Sequence, residues 1–439
     1  MVNVKNNETT RSREATMSDS KPIDPALLTK YIMKMSFIPA TMPGNQYTKP
    51  VADHNIFVPS MSGMESRAFL KIDDGDREYD VSWWRLDGNE IKSFYYYPHM
   101  LISYWYGKDV PGSFRDAFGL PPKDKFDLCG DSGGFQIVTG KTKYIDPVTA
   151  LRWQEANCNW GFVMDYPPLM QDAANSWTLG DEKNIEECQT KTAKNAAIQH
   201  AKWQADDYDL VFVTHGVSWK QLRHSITILE QQGLKLDDFS GISLSCKYSD
   251  PLAVARGSAF AAEFTPQNAR FHYLALSGYK TTMVYVYAMT YRPDIISTMD
   301  SSSYGSQGNI RRVYWLEDMK ETLEFGDNNT SQLKVLPCNC PVCMVVKNPE
   351  LLRKPGSLPG GVISLHNLYI YVTFVEKLKA YATNRDELRS YILRACPDLQ
   401  DSLSYIDIYM ERGHDVAEDK YFRDFRKLKR PASGSVSRL

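Results

Sequence analysis

The chain has no apolar run approaching the roughly 18–20 residues that span a bilayer. Its first residues, MVNVKNNETTRSREATMSDSKP, lack the apolar centre of a secretory signal. Those two absences set the expectation of a soluble, cytoplasmic protein with no membrane partner. Excess positive charge is missing as well: 51 Lys and Arg stand against 53 Asp and Glu, a formal net charge of −2. The molecule as a whole is therefore no polycation, and any contact with nucleic acid falls to a local basic surface. One candidate is the segment 420–439, with seven Lys or Arg and one Asp, for which a solvated tail is the competing reading. Cysteines are few and unevenly placed. Those at 129, 158, 188, 246 and 396 stand alone, whereas 338, 340 and 343 crowd into one hexapeptide. In a reducing compartment that pattern favours metal binding over a disulfide framework.

What is present is ordinary globular material, 43% hydrophobic and 12% aromatic, enough for a large core. Residues 1–22 are polar and aperiodic, and disorder is expected there. From about residue 55, short apolar runs alternate with longer helix-compatible stretches. The runs are 55–62, 99–107, 126–134, 160–168, 210–216, 241–245, 271–278 and 294–300. Strand–helix alternation implies successive βα units and a parallel sheet. Eight units over about 250 residues match a (β/α)8 barrel. An open doubly wound sheet has a similar strand count. No glycine-rich dinucleotide or Walker fingerprint follows the first run, which counts against it.

Several runs end in a residue able to do chemistry: Asp131, Asp165, His215 and Asp300. All strand C-termini of a parallel barrel open on one face, so these side chains are expected to converge. The competing reading of a lone strand-end aspartate is a helix N-cap, and Asp300 is followed by three serines. Further on, Cys338, Cys340 and Cys343 form a Cys-x-Cys-x-x-Cys knot, with His366 as the expected fourth ligand of a tetrahedral zinc. Apolar residues at 368, 372, 375 and 378 keep a helical spacing, which predicts His366 near that helix's first turn. Four protein ligands leave no position for water, so a structural zinc is expected.

The motifs GDSGGFQ (130–136), MDSSSY (299–304), LPCNCPVC (336–343) and HNLY (366–369) together resemble the queuine and archaeosine tRNA-ribosyltransferase family, the tRNA-guanine transglycosylases. The resemblance covers about residues 99–380. It implies a (β/α)8 barrel with a zinc-binding subdomain near the last strand, and exchange of guanine in a polynucleotide for a 7-deazaguanine. In that scheme Asp300 is the nucleophile and Asp131 the general acid and base. Asp165 reads the amino edge of the base, Phe135 stacks on it, and Ser132 and Gly216 contact its polar edge. The implied domains are a barrel over 23–325, a zinc subdomain with its closing helix over 326–385, and an extension with the basic tail over 386–439.

Three departures from the family pattern bear on substrate. His215 stands where a glutamine usually precedes glycine. The segment after Asp300 lacks the bacterial anticodon-reading pattern, although Arg311 and Arg312 are available for phosphate. Residues 367–439 are too short for the RNA-binding domains of the archaeal enzymes. This combination resembles the DNA 7-deazaguanine transglycosylases of bacteriophages and bacterial modification clusters, which insert 7-cyano-7-deazaguanine or a relative and so hide DNA from restriction enzymes. DNA is the expected partner. A tRNA transglycosylase acting outside the anticodon and a non-catalytic partner subunit are the alternatives. Homodimers are common in the superfamily, though no local feature here demands one.

Overall fold

The computed structural model describes residues 33–41, 69–71, 78–80, 82–84, 91–171, 177–245, 250–276, 278–310, 312–314, 322–324, 338–347, 352 and 357–421. Eight parallel strands close on themselves. They are β1 (Met35–Thr41), β2 (His99–Ser103), β3 (Asp127–Asp131), β4 (Trp160–Phe162), β5 (Asp209–Thr214), β6 (Gly241–Ser245), β7 (Arg270–Leu274) and β8 (Ile296–Ser301). Sequence neighbours are spatial neighbours throughout, and β1 closes the ring by pairing with both β8 and β2. That is the winding of a (β/α)8 barrel, which leaves no free sheet edge.

Seven of the expected runs contain barrel strands. The run at 55–62 lies outside the described residues, and the first barrel strand is Met35–Thr41 instead. Its sequence, MSFIPAT, carries Pro39 opposite Ser301 of β8. Proline donates no ladder hydrogen bond and is rare inside sheets, which masks this segment as a strand.

The helices after the strands start on local caps. Asp146 accepts from Thr149 N with Pro147 following, Asp181 from Asn184 N, and Asp250 from Leu252 N ahead of Pro251. Ser218 and Gln221 form a reciprocal capping box. Helices Pro251–Phe264 and Tyr279–Met289 are buried on nearly every face. Their outer sides are covered by Arg385–Ala395 and Gln400–Arg412, and His414–Tyr421 packs on the latter. The segment 385–421 is thus a second helical layer. Buried Arg256 donates to Glu418 Oε2 at 2.8 Å, Trp219 Nε1 to the Tyr409 hydroxyl at 3.1 Å, and the Tyr287 hydroxyl to Asp407 at 2.6 Å. Among the described residues no helix is long and apolar enough to cross a membrane.

The barrel interior is polar at the N-terminal end of its strands. The Arg270 guanidinium lies 4.0 Å from the centre of the fully buried Trp160 ring, whose Nε1 donates to Asp127 at 2.8 Å. Burial opposes ionisation of Asp127, but hydrogen bonds from His99 and Trp160 and the Arg270 charge hold it below the ordinary carboxylate range. This network fills the N-terminal end, and the strand-end carboxylates lie at the opposite, C-terminal mouth.

Candidate functional site

Asp300 sits on β8 at the mouth, opposite Ile38 of β1, and is almost fully buried. It caps no helix. The next one, Ser303–Asn309, has Ser302 at its N-cap with no side-chain cap bond. Instead, Asp300 Oδ1 accepts from Ala275 N at 2.8 Å and faces His272 Nε2 at 3.0 Å. Oδ2 accepts no hydrogen bond among the described residues. Ala275 itself holds a left-handed φ of 59°. For a residue with a Cβ that costs about 1–2 kcal/mol, the kind of strain that collects at functional sites.

Asp131 ends β3, half-buried, beside Ser103 of β2. Its Oδ2 accepts from Gly133 N at 3.2 Å. Burial raises its pKa and the Asp300 charge raises it further, against hydrogen bonds from Ser103 and the Ser132 and Gly133 backbone. Asp165, just past β4, accepts from the Ser132 hydroxyl at 2.7 Å. Burial and the Asp131 charge push it up to about 7, with Ser132 pulling the other way. His215 Nε2 lies 3.6 Å from Asp165 Oδ2, beyond hydrogen-bond range, and 3.3 Å from the Thr192 hydroxyl.

Two glycines make this approach feasible. A Cβ on Gly134 would fall 2.1 Å from the Asp165 carbonyl oxygen. Gly216 holds φ +149°, and its Cβ would meet Gln221 Cβ at 2.7 Å. Ser132 is fully buried, its hydroxyl engaged by Asp165 and Gly134 N, so it acts on the site through Asp165. Phe135 is half-buried on helix Gly134–Val138, directly after that loop. Asp131, Ser132, Asp165 and His215 therefore form one neighbourhood, and the Asp300 charge helps to raise the pKa of Asp131 within it.

Sequence reasoning passed over His272. Fully buried, it faces Asp300 with Nε2 and the Thr298 hydroxyl with Nδ1 at 2.9 Å. The available signal was strand alternation, because period two sets 270, 272 and 274 on one side of β7.

The second constellation follows the last barrel strand. His366 Nδ1 lies 3.6, 3.2 and 3.3 Å from the sulfurs of Cys338, Cys340 and Cys343. All four candidate ligand atoms fall within 4.8 Å of one another. Tetrahedral zinc with thiolate and imidazole ligands sets edges of roughly 3.5–3.8 Å. His366 Nε2 donates to Tyr314 O at 2.8 Å, which leaves the Nδ1 lone pair for a metal. Hydrogen bonds from Cys340 and Cys343 hold the Cys338 thiol far below its ordinary range, and the reciprocal contacts push Cys343 far above. Three sulfurs this close ionise together only around a cation. The buried cluster can bind a metal such as zinc, and its donor set fits one. His366 is not in the first turn of its helix, which spans Ser357–Tyr381 and places it roughly two and a half turns in. The starting sequence Ser-Leu-Pro-Gly-Gly reads as a turn, but a proline in a helix's first turn is tolerated and here conceals the start.

No protein-family model matches the chain, and none of the curated proteins does. Its geometry defines a closed eight-stranded parallel α/β barrel with a Cys3His cluster after the last barrel strand.

Proposed function

We propose that the barrel mouth is the active site of a pentosyltransferase that replaces guanine in DNA by a 7-deazaguanine, 7-cyano-7-deazaguanine or a derivative, acting in the cytoplasm and protecting DNA from restriction. One observation carries this reading: Asp300 is buried at the mouth with both hydrogen bonds on Oδ1, leaving Oδ2 as a nucleophile. The target nucleotide is flipped out or single-stranded, because a stacked base hides its anomeric carbon. Oδ2 bonds to that carbon as the C1′–N9 bond breaks, and the electron pair leaves on guanine, which Asp131 protonates. Burial and the Asp300 charge raise the pKa of Asp131, the direction a proton donor needs. The incoming base then returns a proton to Asp131 and attacks the same carbon, expelling Asp300, so two inversions retain configuration. Asp165 accepts from the base amino and ring N–H groups, Phe135 stacks on the base, and His215 and Gly216 border its polar edge. Cys338, Cys340, Cys343 and His366 hold a structural zinc that fixes the wall behind β8.

The test offers 7-cyano-7-deazaguanine with duplex DNA or unmodified tRNA, then identifies nucleosides by mass spectrometry. Deazaguanine nucleoside in DNA, absent with Asp300→Ala, supports the proposal. Incorporation only into tRNA overturns the choice of polynucleotide, and incorporation into neither overturns the activity.

A further inference from the structure

We propose that His272 is the positioning residue for Asp300, holding the carboxylate by Oδ1 so that Oδ2 faces the anomeric carbon. The chemical step named here rests on the transglycosylase reading.

The tautomer follows from the contacts. His272 Nε2 is 3.0 Å from Asp300 Oδ1 in a space that excludes water. A bare lone pair there would confront a carboxylate oxygen, so Nε2 carries the proton and donates. Burial holds His272 below its ordinary pKa, so the ring carries one proton and Nδ1 is an acceptor; the Thr298 hydroxyl, 2.9 Å away, donates to it in preference to the Phe271 carbonyl at 3.5 Å. Thr298 and Asp300 lie two residues apart on β8, on one face, so a single strand fixes both ends of the imidazole. The ring is also wedged against Trp160 and Phe162 of β4, with centroid separations of 5.3 and 5.0 Å. Rotation out of line with Asp300 would meet one of these walls.

With Ala275 N–H, His272 gives Oδ1 two donors. Attack by Oδ2 forms the ester bond to C1′, and Oδ1 becomes its carbonyl oxygen while retaining both donors. When the second base attacks, the C1′–Oδ2 electron pair returns to a carboxylate already held at Oδ1. His272 gains and loses no proton in either step. It acts only through Asp300.

The test compares His272→Ala and His272→Gln with the unaltered protein, each checked for fold by circular dichroism and metal content. Misplacing a reacting group by about 1 Å typically costs about 10²-fold in turnover. The expected result for His272→Ala is that fall in kcat with KM within about threefold, and for His272→Gln, whose amide also donates, recovery of at least about tenfold. A second readout is independent of catalysis: ¹⁵N spectra of the histidine rings, with His272 assigned by the loss of its signal in His272→Gln. They are expected to show an Nε2–H tautomer whose resonance shifts in Asp300→Asn. A folded His272→Ala turning over within about threefold of the unaltered protein overturns the proposal, as does an Nδ1–H tautomer. Base exchange that needs Asp300 but ignores His272 removes the positioning role and leaves the transglycosylase reading intact. The Nε2–H tautomer coupled to Asp300, in a protein that exchanges no base, removes the reading of the reaction and leaves His272 as the group that orients Asp300.

Discussion

Asp165→Asn is expected to make the unliganded protein more stable while removing its activity, with a stability gain that grows with pH. Burial and the Asp131 charge move the Asp165 carboxyl from its ordinary 3.8 to about 7. In the unfolded chain the group loses its proton near 3.8, and in the fold it keeps it until near 7. Between these values the native state binds more protons, so stability falls as pH rises, and above 7 the destabilisation is fully developed. A displacement of that size corresponds to roughly 4 kcal/mol. Asparagine carries no charge to desolvate. Its amide oxygen can still accept from Ser132, and its NH2 faces His215 Nε2 where Asp165 Oδ2 lies 3.6 Å away. Most of the difference should therefore appear as a gain. Thermal unfolding of both proteins at about pH 5 and about pH 8.5 reads it: at the lower pH, where somewhat over a third of the effect has developed, the variant melts roughly 1–3 °C higher, and at the upper roughly 4–8 °C higher. An equal offset at both pH values, or a variant that melts lower at the upper one, would refute the argument that Asp165 is held against its ionisation. A carboxylate kept at such a cost is the mark of a group retained for binding or catalysis.

Purified protein should carry one zinc per chain by elemental analysis. Cys343→Ser should lose the metal and melt more than about 10 °C lower, given the size of structural zinc binding energies; metal-free protein whose melting ignores chelators would sink the assignment. Gly134→Ala forces a Cβ to 2.1 Å from the Asp165 carbonyl oxygen, whereas Gly361, likewise in a helix and without a positive φ, has nothing within 4 Å. Denaturant unfolding should show Gly134→Ala losing about 1–3 kcal/mol beyond Gly361→Ala. Equal losses would mean that the loop gives way freely and does not set the position of Asp165.

Most of the barrel was legible because apolar runs ending in polar residues leave a strong local trace, and seven of them contain barrel strands. β1 was not, because Pro39 contradicts local strand preference and only pairing with β8 and β2 makes the segment a strand. His366 was legible as a ligand from the cysteine spacing. Its place in the helix was not, since the turn-like start is overridden by packing of Ser357–Tyr381 against its neighbours. The strand-end residues Asp131, Asp165, His215 and Asp300 were readable because parallel topology alone sends them to one face. His272 was not, for a histidine inside an apolar strand is ordinarily a core residue. Its role depends on the shear that sets His272 beside Thr298 in the β7–β8 register, a long-range quantity absent from local sequence.

The same register explains why the aspartates in these loops are not equivalent. Asp146, Asp181 and Asp250 accept from backbone N–H groups two or three residues ahead, a local arrangement that stabilises a helix start by about 1 kcal/mol. Asp300 reaches back 25 and 28 residues to Ala275 and His272, and Asp165 reaches back 33 to Ser132. Neither offsets its burial by capping, although helix Ser303–Asn309 begins close by with no side-chain cap of its own. A chain selected for stability alone would put a cap at that helix start and an apolar or neutral residue at 300. Instead, the backbone N–H of a left-handed alanine and a caged imidazole converge on one oxygen of Asp300. On the base exchange proposed above, holding that oxygen leaves the other free to attack, which would give both contacts one purpose.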